Sequence, residues 1–270
     1  MNRVVLRAAS VADDLGYVAL ADLASVLDAA TYRIIGGHMV TALVARWQLG
    51  ADLYRETGDT DLGIPPVVLR DEHIIERLRD LGYEPIAGNR FARTLTDVPV
   101  TISEGDAPRQ AIIDVLVPAY TSRPRDNRRI SEHLVTTEVP GLATALQRDP
   151  VVLQLEMRRL NGERFDVELA FPDEVAALAL KARATQMRSK ATDVVDLWRC
   201  LEVAFAAGIR PDAFEPGDPA EAAGIVRAQF DHREGAGMTA IVDEQKLSAE
   251  AADQRFTRIR ALIGRVLGAG

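Results

Sequence analysis

Pro172 is the residue that most constrains the fold. Upstream of it, short apolar runs with strand character alternate with helical stretches. Downstream, every periodic segment carries helical spacing to the end of the chain. Phe171-Pro172-Asp173-Glu174 reads as a helix start, with Pro172 or Asp173 near the first turn. Helices are predicted over about 173–188, 192–207, 219–230 and 248–267, with 210–219 and Glu234-Gly235-Ala236-Gly237 as connectors. The first part predicts a helix over 11–30, with Val18, Leu20, Leu23, Val26 and Leu27 on one face, then a strand at 32–36 and a helix at 38–49. Asp71 reads as the N-cap of a helix over 72–82 that closes at Gly82. Short strands are predicted at 84–87, 90–95, 98–103, 110–117 and 133–138, with a polar, Arg-rich loop over 118–130. An antiparallel pair at 151–158 and 164–170 turns at Asn161-Gly162. The expected class is α+β: a lobe with a mixed β-sheet over 1–171, a helical lobe over 172–270, and a ligand cleft between them.

Within the first lobe, Arg55-Glu56-Thr57-Gly58-Asp59-Thr60-Asp61-Leu62 places two aspartates one residue apart. On an extended segment they point to the same face. Paired carboxylates make a hard oxygen site of the kind Mg²⁺ shares with substrate phosphates. The ordinary alternative is a solvated turn around Gly58. Upstream, Tyr32-Arg33-Ile34-Ile35 runs into Gly36-Gly37 and then a helical pattern. Adjacent glycines let the backbone turn tightly and approach a ligand, and the free N–H groups of the new helix form an anion site. Downstream, Asp114 interrupts the apolar run Ala111-Ile112-Ile113-Asp114-Val115-Leu116-Val117. A carboxylate there is costly without a partner, and a metal shared with Asp59 and Asp61 would be one.

In the second lobe, Lys181, Ala184 and Arg188 recur at helical spacing, as do Asp193 and Asp196 on the following helix. A charged, solvated helical face is the usual meaning of such a pattern.

Taken together, Gly36-Gly37, the run from Arg55 to Leu62, Asp114, and the segment from Lys181 to Leu197 resemble the AbiEii family of nucleotidyltransferase toxins, which includes the MenT toxins. The resemblance spans about residues 30–200, and its last two motifs match closely. It implies a nucleotidyltransferase fold in the first lobe and transfer of a nucleoside monophosphate from an NTP, with release of pyrophosphate. It further implies an RNA acceptor, the 3′ end of a tRNA foremost, and a cognate antitoxin protein as partner. Carried over residue by residue, Asp59, Asp61 and Asp114 would bind Mg²⁺, with Asp114 also helping to activate the acceptor hydroxyl. Lys181 and Asp196 would join them as catalytic residues. Gly36, Gly37, Arg55, Thr57, Lys181, Arg188 and Asp193 would line the nucleotide, with Lys190 beside them. The chain departs from the pattern at Gly37, where many nucleotidyltransferases carry a phosphate-touching serine, and at His38-Met39, where Thr-Ala is frequent. Phosphate binding would then fall to backbone amides, with His38 assisting.

Composition bounds these readings. The chain has 270 residues and a net charge of −8, which argues against a broadly basic nucleic-acid surface. Two basic clusters remain as candidates for phosphate contact: Arg123, Arg125, Arg128 and Arg129, and Arg158, Arg159 and Arg164. Local pairing with Asp126, Glu132 and Glu163 is the alternative. An acidic protein also suits a cationic small acceptor, as in aminoglycoside nucleotidyltransferases, and a non-catalytic nucleotide-binding protein is a third class. The four histidines are scattered without zinc spacing. The single cysteine, Cys200, excludes an intramolecular disulfide and reads as a core residue. No apolar stretch approaches a membrane span and the N-terminus shows no signal core, so a cytoplasmic location is expected.

Overall fold

The computed structural model describes residues 3–70, 73–98, 109–121, 123–188 and 190–268. They form an α+β protein that divides into two compact units, Met1–Arg46 with Gly50–Pro172, and Trp47–Leu49 with Asp173–Gly270.

The first unit opens with β1 (Arg3–Arg7) and α1 (Val11–Val26). Sequence periodicity missed β1, where only Val4 and Leu6 are buried and the intervening Val5 blurs the alternation. Ser10 caps α1 by accepting from the Asp13 N–H at 3.2 Å. The helix stops at Val26 rather than at residue 30. Asp28 turns the chain there, its carboxylate accepting from the Ala30 N–H at 3.1 Å.

A mixed sheet follows. Its strands are β2 (Arg33–Ile35), β3 (Asp59–Gly63), β4 (Glu84–Ala87), β5 (Arg90–Thr94), β6 (Gln110–Pro118), β7 (Arg128–Arg129) and β8 (Val135–Val139). They run in the order β2-β3-β6-β5-β4, with β8 also on β6 and β7 on β8. β6 is parallel to β3 and β8 and antiparallel to β5. β5 flanks β6 only from Gln110 to Asp114, and β8 takes over at Leu116. Asp114 thus sits where β6 changes partners. Thr60, Leu62, Ile113, Val115 and Val117 are fully buried on one face of this sheet, and α1 packs against β3 and β6.

Between β2 and β3 lies α2 (Gly36–Arg46), which begins at Gly36 itself, two residues earlier than predicted. α3 (His73–Asp80) follows β3; the predicted cap Asp71 and nearly all of the predicted strand 98–103 lie outside the described residues. Short α4 (Leu142–Gln147), unseen in the sequence, seats Leu142 in the core. β9 (Val151–Arg158) and β10 (Arg164–Phe171) form the hairpin expected about Asn161-Gly162, with β1 added in parallel to β9. Gly162 takes the left-handed conformation that this turn needs, φ 89°.

The second unit is helical: α5 (Glu174–Met187), α6 (Ala191–Ala206), α7 (Asp218–Gln229), α8 (Ala236–Gln245) and α9 (Ala249–Val266). Asp173 caps α5, accepting from the Ala176 N–H at 2.8 Å. Helix α8 was not predicted; it takes in the last two residues of the predicted connector Glu234-Gly235-Ala236-Gly237 and the unassigned stretch after it. Its Gly, Thr and Val content is poor for a helix, and the burial of Met238 and Ile241 overrides it. Among the described residues, no helix is long and apolar enough to cross a membrane.

Candidate functional site

β3 and β6 run parallel with Asp61 directly opposite Asp114 and Asp59 opposite Ile112. Register partners, and residues two apart on a strand, project from the same face. Asp59, Asp61 and Asp114 therefore share the face opposite the buried Thr60, Leu62, Ile113 and Val115. The group grades from open to enclosed: the Asp59 side chain is half exposed, that of Asp114 nearly buried.

Gly36 closes the floor of this group. Its φ of +69° suits glycine, and a Cβ there would lie 1.8 Å from Asp61 Oδ2. The Asp61 carboxylate thus sits against the backbone where β2 passes into α2. At Gly37 a Cβ would lie 2.4 Å from Thr57 Oγ1 and 2.9 Å from Arg55 Nη2. Thr57 and Arg55 already fill the volume a serine would need, which accounts for glycine at this position. Asp13 of α1 anchors the segment, accepting from the Tyr54 hydroxyl and from the Thr57 N–H at 3.4 Å.

Arg90 is the functional candidate that sequence reasoning missed. It lies opposite Asp114 in the antiparallel β5–β6 pair. Its Nε donates to Asp114 Oδ1 at 2.9 Å, and its Nη2 to Asp114 Oδ2 at 2.7 Å and Asp59 Oδ2 at 2.8 Å. The fork on Asp114 is the strong bidentate geometry, and these bonds raise the guanidinium further above its ordinary range. The available signal was an arginine opening a strand, just after Gly88-Asn89, in a hairpin partner of the strand bearing Asp114.

Three carboxylates on one sheet face are the donor set for a hard divalent cation. The chemistry of this donor set fits such an ion, and in this structure the Arg90 guanidinium takes the cationic place between Asp59 and Asp114. Among the described residues no three His, Cys, Asp or Glu side chains close into a ready cage. The oxygens on Arg90 Nη2 stand 2.7 and 2.8 Å away, against roughly 2.0–2.1 Å around Mg²⁺.

His38 does not assist phosphate from this position. Its ring is buried and turned toward α1, where a Cβ on Gly16 would lie 2.4 Å from Nε2. Among the described residues that nitrogen has no hydrogen-bond partner. Burial, with Arg55 nearby, lowers the imidazole to about 3, so it is neutral at pH 7.

The basic clusters are largely paired internally. Buried Arg159 binds Asp14 Oδ2 at 2.9 Å, Asp97 Oδ2 at 2.6 Å and Glu163 Oε2 at 2.7 Å. Arg158 pairs with Glu156, Arg164 with Asp166, and Arg125 and Arg128 with Glu138.

No protein-family model matches this chain, and no curated protein does.

The second unit gathers its own charged residues. Lys181 Nζ on α5 stands 2.8 Å from Asp196 Oδ2 and 3.6 Å from Asp193 Oδ1 on α6. Arg199 Nη1 donates to Asp196 Oδ1 at 2.8 Å, and Arg188 Nε to Asp193 Oδ2 at 2.6 Å. Lys181, Asp193, Asp196 and Arg199 are all buried, which excludes the solvated-face reading for them. Arg188 is not on the helical face shared with Lys181. It is the C-cap of α5 in extended conformation, and reaches Asp193 from there. Arg199 was also missed; its signal was the i, i+3 spacing from Asp196. Burial pushes the neighbouring Cys200 thiol up to about 12, consistent with a packing role.

Proposed function

We propose that the first unit carries the catalytic centre of a Mg²⁺-dependent nucleotidyltransferase that transfers a nucleoside monophosphate from an NTP to an RNA 3′ end. The observation that carries this reading is the facing of Asp61 and Asp114 in β3 and β6, with Asp59 on the same face and Gly36 beneath Asp61. Asp59, Asp61 and Asp114 would hold the metal, which when bound supplies charge stabilisation to the triphosphate and to the attacking and leaving oxygens. The backbone at Gly36-Gly37, leading into α2, would orient phosphate oxygens through N–H groups. Asp114, the more enclosed carboxylate, would accept hydrogen bonding from the acceptor hydroxyl and draw its proton. The acceptor oxygen bonds to the α-phosphorus as the bond to the bridging oxygen breaks, and pyrophosphate leaves.

The RNA acceptor, the antitoxin partner, the cytoplasmic location, and nucleotide roles for Arg55, Thr57, Lys181, Arg188, Asp193 and Asp196 rest on the AbiEii resemblance. One observation favours a second reading, a small cationic acceptor: most arginines of the two basic clusters are bound to carboxylates of this chain. Incubating the protein with α-labelled NTPs, Mg²⁺ and total RNA, or with aminoglycosides, distinguishes the two. Label on RNA supports the first reading and label on the aminoglycoside the second. Binding without transfer in either mixture would leave only a nucleotide-binding role.

A further inference from the structure

Arg90 bears directly on how the carboxylate group of the first unit works. A single nitrogen, Nη2, bridges an oxygen of Asp59 and an oxygen of Asp114. The remaining Asp114 oxygen is held by Nε of the same guanidinium. Both oxygens of the most enclosed carboxylate are thus engaged by one side chain, which itself is about one-third exposed. The arrangement follows from strand register, because Arg90 and Asp114 are cross-strand partners.

Two negative groups on one sheet face repel, and a cation between them offsets that repulsion. A guanidinium does so with a fixed, planar fork and donor–acceptor distances near 2.8 Å. A divalent cation does so at shorter range and with more charge, and needs the same carboxylate oxygens. The two cannot use the facing Asp59 and Asp114 oxygens together.

We propose that Arg90 is an internal counter-ion that holds the place of a divalent cation between Asp59 and Asp114 and must withdraw for one to bind. This rests on the metal-dependent reading above. It makes Arg90 a residue that sets metal affinity: the metal-free site is kept ordered by the arginine, and metal binding is weakened by the bonds it must displace. The short reach needed by Mg²⁺ also requires the two carboxylates to draw together once the guanidinium leaves.

The test is Mn²⁺ binding by titration calorimetry, without nucleotide, on the full chain and on Arg90→Met and Arg90→Lys, with thermal unfolding recorded in parallel. Arg90→Met should bind Mn²⁺ about tenfold more tightly or better, and unfold at a lower temperature than the parent without metal. Added Mn²⁺ should raise its unfolding temperature more than the parent's. Arg90→Lys keeps the charge but loses the fork, and should fall between; it reads the effect if Arg90→Met does not fold. Mn²⁺ binding that is lost in Asp59→Asn yet unchanged or weaker in both Arg90 variants would overturn the proposal and leave the metal site standing. Binding insensitive to Asp59→Asn, or no binding in any form, would overturn the metal reading and the proposal with it.

Discussion

A side-chain carbon on Gly36 would lie 1.8 Å from Asp61 Oδ2, so the second carboxylate of the Asp-x-Asp pair rests directly on the backbone where β2 becomes α2. Glycine is needed twice there, for the contact and for a φ of +69°. Gly36→Ala is expected to fold but to lose about 1–3 kcal/mol of stability, part from the left-handed backbone and part from displacing Asp61. Urea unfolding and Mn²⁺ titration check it. Unchanged stability together with unchanged metal binding would contradict the contact.

Gly37 is explained by its neighbours rather than by phosphate. A serine introduced at this position, Gly37→Ser, should destabilise by about 1–3 kcal/mol. Rotating Thr57 removes its hydroxyl from the way but leaves its Cβ at 2.9 Å. Thr57→Gly in the same chain should recover part of the loss, as coupled neighbours do. Additive losses in a double-mutant cycle would show that the two side chains do not compete for this space.

The Lys181–Asp196 pair at 2.8 Å is buried, so removing one partner leaves a charge only partly compensated. Lys181→Ala should cost on the order of 3 kcal/mol, tempered by Arg199, which still binds Asp196. Asp196→Ala should cost more, because that carboxylate serves both buried Lys181 and buried Arg199, and the double variant should be little worse than Asp196→Ala alone. Chemical denaturation of all four forms measures the coupling, and NTP affinity on the same samples reports any nucleotide role. Strict additivity would mean the pair is not a unit.

His38 is neutral and buried, with its folded value lowered to about 3. The unfolded imidazole takes up a proton near pH 6.5. The stability His38 contributes is therefore complete above about pH 6.5 and is lost as pH falls from there toward about 3, by up to roughly 1.4 kcal/mol per pH unit. His38→Gln should unfold with a flatter pH dependence between pH 6.5 and 5 than the parent. Identical slopes for the two would show that the imidazole titrates normally in the folded protein.

Much of this was legible because periodicity reports burial. The strand carrying Asp114, four of the helices after Pro172 (α5, α6, α7 and α9) and the hairpin at Asn161-Gly162 lie within a residue or two of their predicted places, whereas α8 was not predicted. The common face of Asp59 and Asp61 was expected from alternation, but the placing of Asp114 on that face, opposite Asp61, needed the register between β3 and β6, which spacing does not encode. Arg90 was invisible for the same reason, since its partner is set by the β5–β6 pairing. His38 looked available because it follows Gly36-Gly37; the small residue that receives its ring, Gly16, is on a different helix. The paired arginines were misleading because charge counts do not reveal which carboxylate is near.

The proposed role of the Asp59, Asp61 and Asp114 face is metal-dependent nucleotide transfer. Its most direct test is the single-turnover rate of label transfer from an α-labelled NTP to total RNA in Mg²⁺, for the parent chain and for Asp61→Asn, with circular dichroism confirming the fold of both. The expected result is transfer by the parent and a loss of at least about 10³-fold in the variant, because metal stabilisation of transition-state charge is worth several kcal/mol. Transfer by a folded Asp61→Asn at the parental rate would contradict the account.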